Sequence, residues 1–245
     1  MLLSLEHISK RFRVAGGERL ALDDVTLELG RGQIVGIYGP SGAGKTTLLR
    51  IAAGLQAPDG GTVTYDGDRL DEMPAPERKR HLRREVSCVW GAQPGHERLP
   101  VLDHVAVALL VDRRERRGAE RRAREALLAC EVEHCARMEL AELSDGERQR
   151  VAIARAIVTE PRLLLADRPA SSLSFVEQEA IMALLSMLAR EAKVAVLMTD
   201  SDAQALLRAD PVLYMREGKL LGSEPQGERG RLYRFPASGS RAAAL

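Results

Sequence analysis

The chain has 245 residues, of which 45% are hydrophobic and 29% are charged, and its formal net charge is +1. This length suits one large domain or one domain with an inserted lobe, and the composition is that of a folded protein rather than a disordered one. Because the net charge is close to zero, the protein as a whole has no strong electrostatic attraction for nucleic acid or acidic lipid. No nucleic-acid partner is therefore expected.

The first third of the sequence alternates short β-like runs with glycine-rich turns. The runs are "LLSLEHISKRFRV", "LALDDVTLELGRGQ" and "IVGIYG"; a helical period then begins at Thr46, and "GGTVTYDG" (60–67) has the pattern of another strand. The N-terminus lacks the apolar core of a signal peptide, and the longest strictly apolar run, 105–111, is far too short to cross a bilayer. If the protein serves a membrane, another chain is expected to supply the spanning part.

A phosphate-binding motif is complete in "GPSGAGKT", which matches G-x-x-x-x-G-K-[ST] at every defined position. It stands between a predicted strand and a predicted helix, where glycines let backbone N–H groups point at phosphates. The lysine is expected to reach the β and γ phosphates, and the threonine hydroxyl to bind Mg²⁺. The sequence therefore predicts a nucleoside triphosphate site formed by Gly39, Ser41, Gly42, Gly44, Lys45, Thr46 and Thr47.

The rest of the chain is predicted to be mostly helical over 72–144 and to alternate helix and strand afterwards. The order is helix "ERQRVAIARAIVTE", strand "RLLLAD", helix "VEQEAIMALLSMLARE", strand "VAVLMTD", helix "DAQALLRA" and hairpin "PVLYMREGKLLG". This alternation predicts an α/β fold with a mostly parallel sheet and helices on both faces. The tail after about Glu224 has the composition of a poorly ordered terminus.

Two clusters in the middle of the chain leave alternatives open. Cys130 and Cys135 flank His134, which suits a metal site or, as the preferred interpretation, thiols buried in a helical interior. The arginine-rich stretch 113–124 is interpreted as a solvated helix face, with contact to lipid headgroups or a membrane partner as the alternative.

Roughly 100 residues after the phosphate-binding motif comes "LSDGERQRVAIARAIVTEPRLLLADRP". The two motifs in this order resemble the ATP-binding subunits of ABC transporters, whose second motif is close to LSGGEQQRVAIARAL, followed by four hydrophobic residues and Asp-Glu-Pro. The resemblance covers about 4–222 and is nearest to the group that drives lipoprotein release, macrolide export and cell-division complexes. It implies a P-loop NTPase fold of ABC type over 1–224, with an N-terminal antiparallel β part, a helical lobe inserted at about 91–145, and a separate tail over 225–245.

The resemblance also implies which residues hold ATP and Mg²⁺. Phe12 falls where the family places an aromatic ring on adenine, with a half-buried strand residue as the alternative. Asp167 matches the magnesium-associated aspartate, so Thr46 and Asp167 are the expected metal residues. In the family, the second motif acts on the ATP of a partner subunit, a role that falls on Ser144 and Gly146 here. Asp145 replaces the first glycine of that motif, which adds a negative charge near the partner's phosphate.

Four departures from the family pattern fall on the hydrolytic residues. Arg168 stands at the position of the catalytic glutamate, Asp200 at that of the switch histidine, and Gly91 at that of the loop glutamine. Gln93 is an alternative for the loop glutamine, and the loop that normally ends in Leu-Asp ends in Leu173–Ser174. An arginine cannot accept a proton from water, because its pKa stays above ~12. No intact catalytic set is therefore expected, and the arginine is expected either to face the γ-phosphate or to pair with a surface carboxylate.

The pattern supports two main functions. One is an ATP-binding subunit of an ABC transporter complex, with little or no hydrolysis at its own site, paired with a different, catalytically intact subunit and with integral membrane permease subunits. Such a subunit would lie peripherally on the cytoplasmic face of the membrane, docked to the permease near 91–101. The other is a non-catalytic, ATP-sensing regulatory homodimer. A working ATPase that recruits Asp200 or Glu177 as its base is a lesser alternative.

Overall fold

The computed structural model describes residues 1–15, 17–83, 85–90, 98–110 and 115–221. Its strands are β1 (Leu3–Val14), β2 (Gly17–Leu29), β3 (Ile34–Tyr38), β4 (Gly60–Tyr65), β5 (Asp68–Arg69), β6 (Val86–Trp90), β7 (Leu163–Asp167), β8 (Ala195–Asp200), β9 (Val212–Arg216) and β10 (Lys219–Leu221). Its α-helices are α1 (Lys45–Ala52), α2 (Ala75–Leu82), α3 (Val101–Leu110), α4 (Arg116–Ala129), α5 (Asp145–Ile157) and α6 (Phe175–Glu191). Short 3₁₀ turns cover Glu133–Cys135, Leu140–Glu142 and Gln204–Leu206.

Two sheets organise the chain. The larger has the strand order β10-β9-β3-β8-β7-β6, in which β9, β3, β8, β7 and β6 run parallel and β10 returns antiparallel to β9. The smaller has the order β2-β1-β4-β5 and is antiparallel throughout. The predicted α/β fold, a mostly parallel sheet with an N-terminal antiparallel part, is confirmed.

Strand β7 shows how the parallel sheet is covered on both faces. Leu163 and Leu165 belong to the core that includes α1 and the antiparallel sheet, whereas Leu164 and Ala166 belong to the core formed with α3 to α6. Successive side chains of a strand point to opposite faces, so a continuous aliphatic run is what a doubly covered strand needs. The buried run fixes the depth and direction of the strand that ends at Asp167.

Helices α3, α4 and α5 lie between β6 and β7 in the sequence and pack on one face of the parallel sheet. The arginines of α4 are extensively paired within the chain. Arg116 and Arg121 each pair with the glutamate one turn on, and Arg122 pairs with Glu160. Pairing with carboxylates of the same chain favours the solvated-face interpretation of this stretch. Residues 91–97 and 222–245, which include the predicted tail, lie outside the described residues.

The described residues of 72–144 are mostly helical, as predicted, but the segment also contains a strand, β6, because "VSCVW" pairs with β7; such a short apolar run cannot be assigned from periodicity alone. One predicted element is wrong. The predicted helix "DAQALLRA" is reduced to the 3₁₀ turn Gln204–Leu206. Here the carboxylates of Asp200 and Asp202 accept hydrogen bonds from nearby backbone N–H groups, and such local bonds compete with helix formation. Within the part of the chain that the structure describes, no helix combines the length and the apolar character that a membrane span needs.

Replacing Leu165 with alanine is expected to lower the free energy of unfolding by about 3 kcal/mol, because this fully buried side chain in β7 would leave a cavity. Leu128→Ala is the matched control: this leucine is 68% exposed at the end of α4, and its loss should change stability by less than about 0.5 kcal/mol. Urea denaturation followed by circular dichroism measures both variants. Equal losses of stability would contradict the assignment of β7 to the core.

Candidate nucleotide-binding site

The phosphate-binding loop connects β3 to α1 in a conformation that requires glycine. Gly44 has φ 109°, and a Cβ atom at this position would lie 2.3 Å from the carbonyl oxygen of Ala21. This close approach to β2 holds the loop against the sheet, and the glycine then precedes α1 directly. Backbone N–H groups at the first turn of a helix are without helical partners and suit an anionic ligand.

Lys45 folds back over this loop. Its Nζ atom donates hydrogen bonds to the carbonyl oxygens of Gly39 (2.5 Å) and Pro40 (2.9 Å), and the residue is only 5% exposed. Burial, and then the nearby Arg168 guanidinium, lower the pKa of Lys45, while the carboxylates of Asp167 and Asp200 oppose that shift. Because Lys45 and Arg168 both line the cleft, a phosphate placed in it would lie near two cationic side chains.

Asp167 joins the loop to the strand ends. Its Oδ2 accepts a hydrogen bond from the Thr46 hydroxyl (2.6 Å), and its Oδ1 accepts one from the Thr199 hydroxyl (2.7 Å). Hydroxyl and carboxylate oxygens are the ligands that Mg²⁺ prefers. Thr46 and Asp167, the two predicted metal residues, are thus brought together with oxygens suited to that ion.

A cleft of about 680 Å³ lies over the loop, within the range of ~300–1,000 Å³ that small-molecule sites usually have. It includes Phe12, which is 37% exposed and close to the loop, as a ring stacked on adenine would be. The residues that line the cleft are Phe12, Val14, Arg19, Ala21, Ser41, Gly42, Ala43, Gly44, Lys45, Thr46, Thr47, Asp167, Arg168 and Ser171. Gly39 contributes its carbonyl oxygen to Lys45 beneath them.

Arg168 lines the same cleft directly after Asp167. Its backbone N–H donates to the carbonyl oxygen of Thr199 (2.8 Å), and its φ of 52° lies in the left-handed region. Lys45 lines this cleft too, and the positive charge of the Arg168 guanidinium lowers the pKa of Lys45. Among the residues that the structure describes, no carboxylate forms an ion pair with this guanidinium.

Asp200 ends β8 and is only 4% exposed. Its Oδ1 accepts hydrogen bonds from the backbone N–H groups of Ser201 (2.6 Å) and Asp202 (3.2 Å). Its Oδ2 is buried and has no hydrogen-bond partner within the described residues. Asp200 therefore presents negative charge beside the site and does not line the cleft itself.

Ser144 and Gly146 lie at the start of α5, apart from the cleft. Ser144 caps the helix: its hydroxyl accepts from the Glu147 N–H (3.3 Å) and donates to Glu147 Oε2 (2.7 Å). These bonds from Ser144 lower the pKa of Glu147 to about 2. A Cβ atom on Gly146 would come within 2.7 Å of Glu177 Oε1, so glycine lets α5 approach the start of α6 closely. Glu177 is engaged in a similar cap with Ser174 and does not line the cleft.

The sequence alone does not identify every residue of the site, and two of its candidates lie outside the described residues. Arg19 in β2 lines the cleft and donates to the carbonyl oxygen of Gly42 (2.9 Å), but nothing in its local sequence marks it. Thr199 could have been found, because it is the hydroxyl residue at the end of the buried run "VAVLMTD". Gly91 and Gln93, the two candidates for the loop glutamine position, lie outside the described residues.

Comparisons with known proteins agree with this geometry. The profile of the ABC transporter family matches residues 22–171. The lipoprotein-releasing system ATP-binding protein LolD of Bordetella avium (strain 197N) is 37% identical over 226 residues, which cover 89% of this chain and 95% of LolD. The dimeric ATP-binding cassette MJ0796, in a post-hydrolysis state bound to ADP and phosphate, has a TM-score of 0.83 at 30% identity over 91% of this chain and 98% of that one.

A second solved structure, cbiO1 from Clostridium perfringens, is described as part of the ABC transporter complex cbiONQ. It has a TM-score of 0.79 at 26% identity, over 90% of this chain and 86% of that one. The family profile, the relative similar over nearly its full length and the cleft built on a phosphate loop lead to one conclusion. The chain belongs to the ABC transporter family, as an ATP-binding subunit of P-loop NTPase type that uses ATP and Mg²⁺.

Proposed function

We propose that this chain holds Mg-ATP at its own phosphate loop with little or no hydrolysis there, as one of two ATP-binding subunits of an ABC transporter complex. The second subunit would be a different, catalytically intact chain, and integral membrane permease subunits would hold both at the cytoplasmic face of the membrane. The observation that carries the proposal is the side chain of Arg168, which lines the nucleotide cleft where the family has its catalytic glutamate.

The ATP-holding half of the site supports this proposal. Lys45 is fixed over the loop by two carbonyl groups, and Thr46 is hydrogen-bonded to Asp167. These contacts preorganise the cationic group and the two metal-type oxygens, so little reordering is needed when Mg-ATP binds. A preorganised site costs less conformational entropy on binding.

The described residues of the cleft offer no free proton acceptor for the attacking water. Among them, only Asp167 carries a carboxylate, and both of its oxygens accept hydrogen bonds, from the Thr46 and Thr199 hydroxyls. Losing a general base typically lowers a rate by about 10²–10⁴. The lesser alternatives gain no support, because Asp200 and Glu177 do not line the cleft and are bonded to their own loop and cap.

The charge of Arg168 favours retention of the nucleotide. No described carboxylate competes for its guanidinium, which lies close enough to Lys45 to affect its pKa. Charge-assisted hydrogen bonds from guanidinium to phosphate are about twice as strong as neutral ones. A group that binds the ground-state phosphate in this way stabilises bound ATP without providing a route for attack by water.

The start of α5 supports a weakened role on the partner's ATP. Ser144 and Gly146 are placed at a helix N-terminus, which favours a facing phosphate. Asp145 adds a negative charge in the first turn, which opposes the phosphate. In a homodimer this unfavourable charge would occur at both composite sites, whereas pairing with a different subunit would confine it to one.

The partners are inferred from relatives. LolD is named as the ATP-binding protein of a lipoprotein-releasing system, cbiO1 as part of a transporter complex, and MJ0796 forms a dimer. The proposal transfers dimerisation and permease docking from these proteins to this chain. The transported substrate would be selected by the permease subunits.

Lys45→Ala is expected to weaken ATP binding about 10–100-fold, because hydrogen bonds to charged groups contribute about 1.5–3 kcal/mol. Lys79→Ala, at an exposed lysine of α2, is the matched control and should bind as wild type does. Titration with ATP and Mg²⁺ in a calorimeter measures both. Equal affinities of the two variants would show that ATP does not use this loop.

Wild-type chain is expected to bind ATP with phosphate release near background, whereas the double variant Arg168→Glu, Asp200→His should release phosphate at least about tenfold faster. The reason is that the variant regains a general base and a donor for the γ-phosphate. Phosphate release is followed at saturating ATP with binding measured in parallel. Wild-type release at or above the rate of the double variant would overturn the proposed loss of hydrolysis.

The chain alone is expected to remain monomeric with ATP and Mg²⁺, because Asp145 would face a phosphate at both sites of a homodimer. Light scattering after size-exclusion chromatography measures the mass with and without ATP, and Lys45→Ala serves as the control with weakened ATP binding. An ATP-dependent dimer without turnover would instead support the ATP-sensing homodimer.

A further inference from the structure

A second cluster of ligand-type side chains lies at the start of α5, outside the nucleotide cleft. His134 and Cys135 come from the 3₁₀ turn Glu133–Cys135, and Glu147 comes from the first turn of α5. One ligand atom from each lies within 4.8 Å of the other two. His134 Nε2 is 3.3 Å from Glu147 Oε1, and Cys135 Sγ is 3.5 Å from the same oxygen. Cys130, the other cysteine beside His134 in the sequence, does not join this cluster.

The donor set points to one class of metal. An imidazole nitrogen, a thiolate sulfur and a carboxylate oxygen are the three ligand types of Zn²⁺, whereas Mg²⁺ and Ca²⁺ prefer oxygen alone. Ligands of a tetrahedral zinc ion lie roughly 3.3–3.8 Å from one another, given metal–ligand distances of about 2.0–2.3 Å. The two separations from Glu147 Oε1 are already on this scale, and the third, between His134 and Cys135, is at most 4.8 Å. Small side-chain movements would therefore complete a three-ligand site with one position open.

The surroundings allow a cation to enter and be retained. The side chains of His134 and Glu147 are 65% and 31% exposed, whereas Cys135 is fully buried at the base of the cluster. A metal ion binds the thiolate form of a cysteine, because the cation stabilises that form and displaces the proton of the thiol.

The two carboxylate oxygens of Glu147 make different contacts. Oε2 accepts hydrogen bonds from the backbone N–H (2.9 Å) and the hydroxyl (2.7 Å) of Ser144, which form part of the helix cap. Oε1 faces His134 and Cys135. A metal on Oε1 would therefore leave the cap intact and would fix the carboxylate that positions Ser144.

We propose that His134, Cys135 and Glu147 bind one divalent cation of the Zn²⁺ class, and that this ion holds the N-terminus of α5 against the 3₁₀ turn Glu133–Cys135. The site does not depend on nucleotide, because its residues and the cleft residues do not overlap. The sequence alone favours buried thiols at Cys130 and Cys135. A metal site at His134 and Cys135 also needs the glutamate that α5 supplies.

Cobalt provides a spectroscopic test with the full chain, reduced, freed of metal and without nucleotide. Co²⁺ is expected to bind at one equivalent with a thiolate-to-cobalt charge-transfer band, and Zn²⁺ should displace it. Cys135→Ser should abolish the band. His134→Ala, at an exposed side chain, should lower the affinity at least about tenfold, the scale on which metal sites respond to altered ligand environments. Cys88→Ser is the matched control, because this thiol lies in β6 away from the cluster, and it should retain the band.

The outcomes separate clearly. Absence of the band in wild type at one equivalent, or its persistence in Cys135→Ser, would overturn the site. If Cys135→Ser does not fold by circular dichroism, His134→Ala decides: unchanged Co²⁺ affinity overturns the proposal. Thermal unfolding adds a second readout, since an ion that binds only the native state raises the Tm. Zn²⁺ should raise the Tm of wild type and Cys88→Ser, and raise that of His134→Ala much less.

Discussion

The hydrogen bonds of Asp167 are the constraint on which the nucleotide site depends. Thr46 and Thr199 both donate to this carboxylate, and they come from the helix after β3 and from β8. Because β3, β8 and β7 are neighbouring parallel strands, their carboxyl ends meet at one edge of the sheet. The phosphate loop follows β3, Arg168 follows β7, and Asp200 is the last residue of β8. The register of three buried strands therefore decides which side chains can meet a nucleotide.

Holding ATP and cleaving it rest on different parts of this edge. Holding uses backbone geometry, such as the left-handed conformation of Gly44, and a lysine fixed by two carbonyl groups. The main-chain bond between Arg168 and Thr199 does not depend on the side chain at 168. A substitution there can therefore change the chemistry of the cleft while the strand end keeps its position.

The start of α5 combines three physical demands in a few residues. Ser144 and Glu147 satisfy the free N–H and hydroxyl groups of the cap, and Gly146 allows close contact with Glu177 at the start of α6. The same Glu147 reaches back to His134 and Cys135. Any group that fixes this glutamate also restrains Ser144, which couples the turn after α4 to the N-terminus of α5.

The sequence by itself determined the elements whose signals are local. "GPSGAGKT" between a strand and a helix, the aliphatic run ending at Asp167 and the β character of the N-terminal runs were predicted correctly, since spacing and periodicity need no distant partner. Only the tertiary structure decided features that depend on pairing. Strand β6 exists because it lies beside β7, and Arg19 enters the cleft because β2 packs against the loop. Glu147 contacts Cys135 because two turns that are separated in sequence lie close together in space. A local sequence pattern cannot predict which side chains meet in this way.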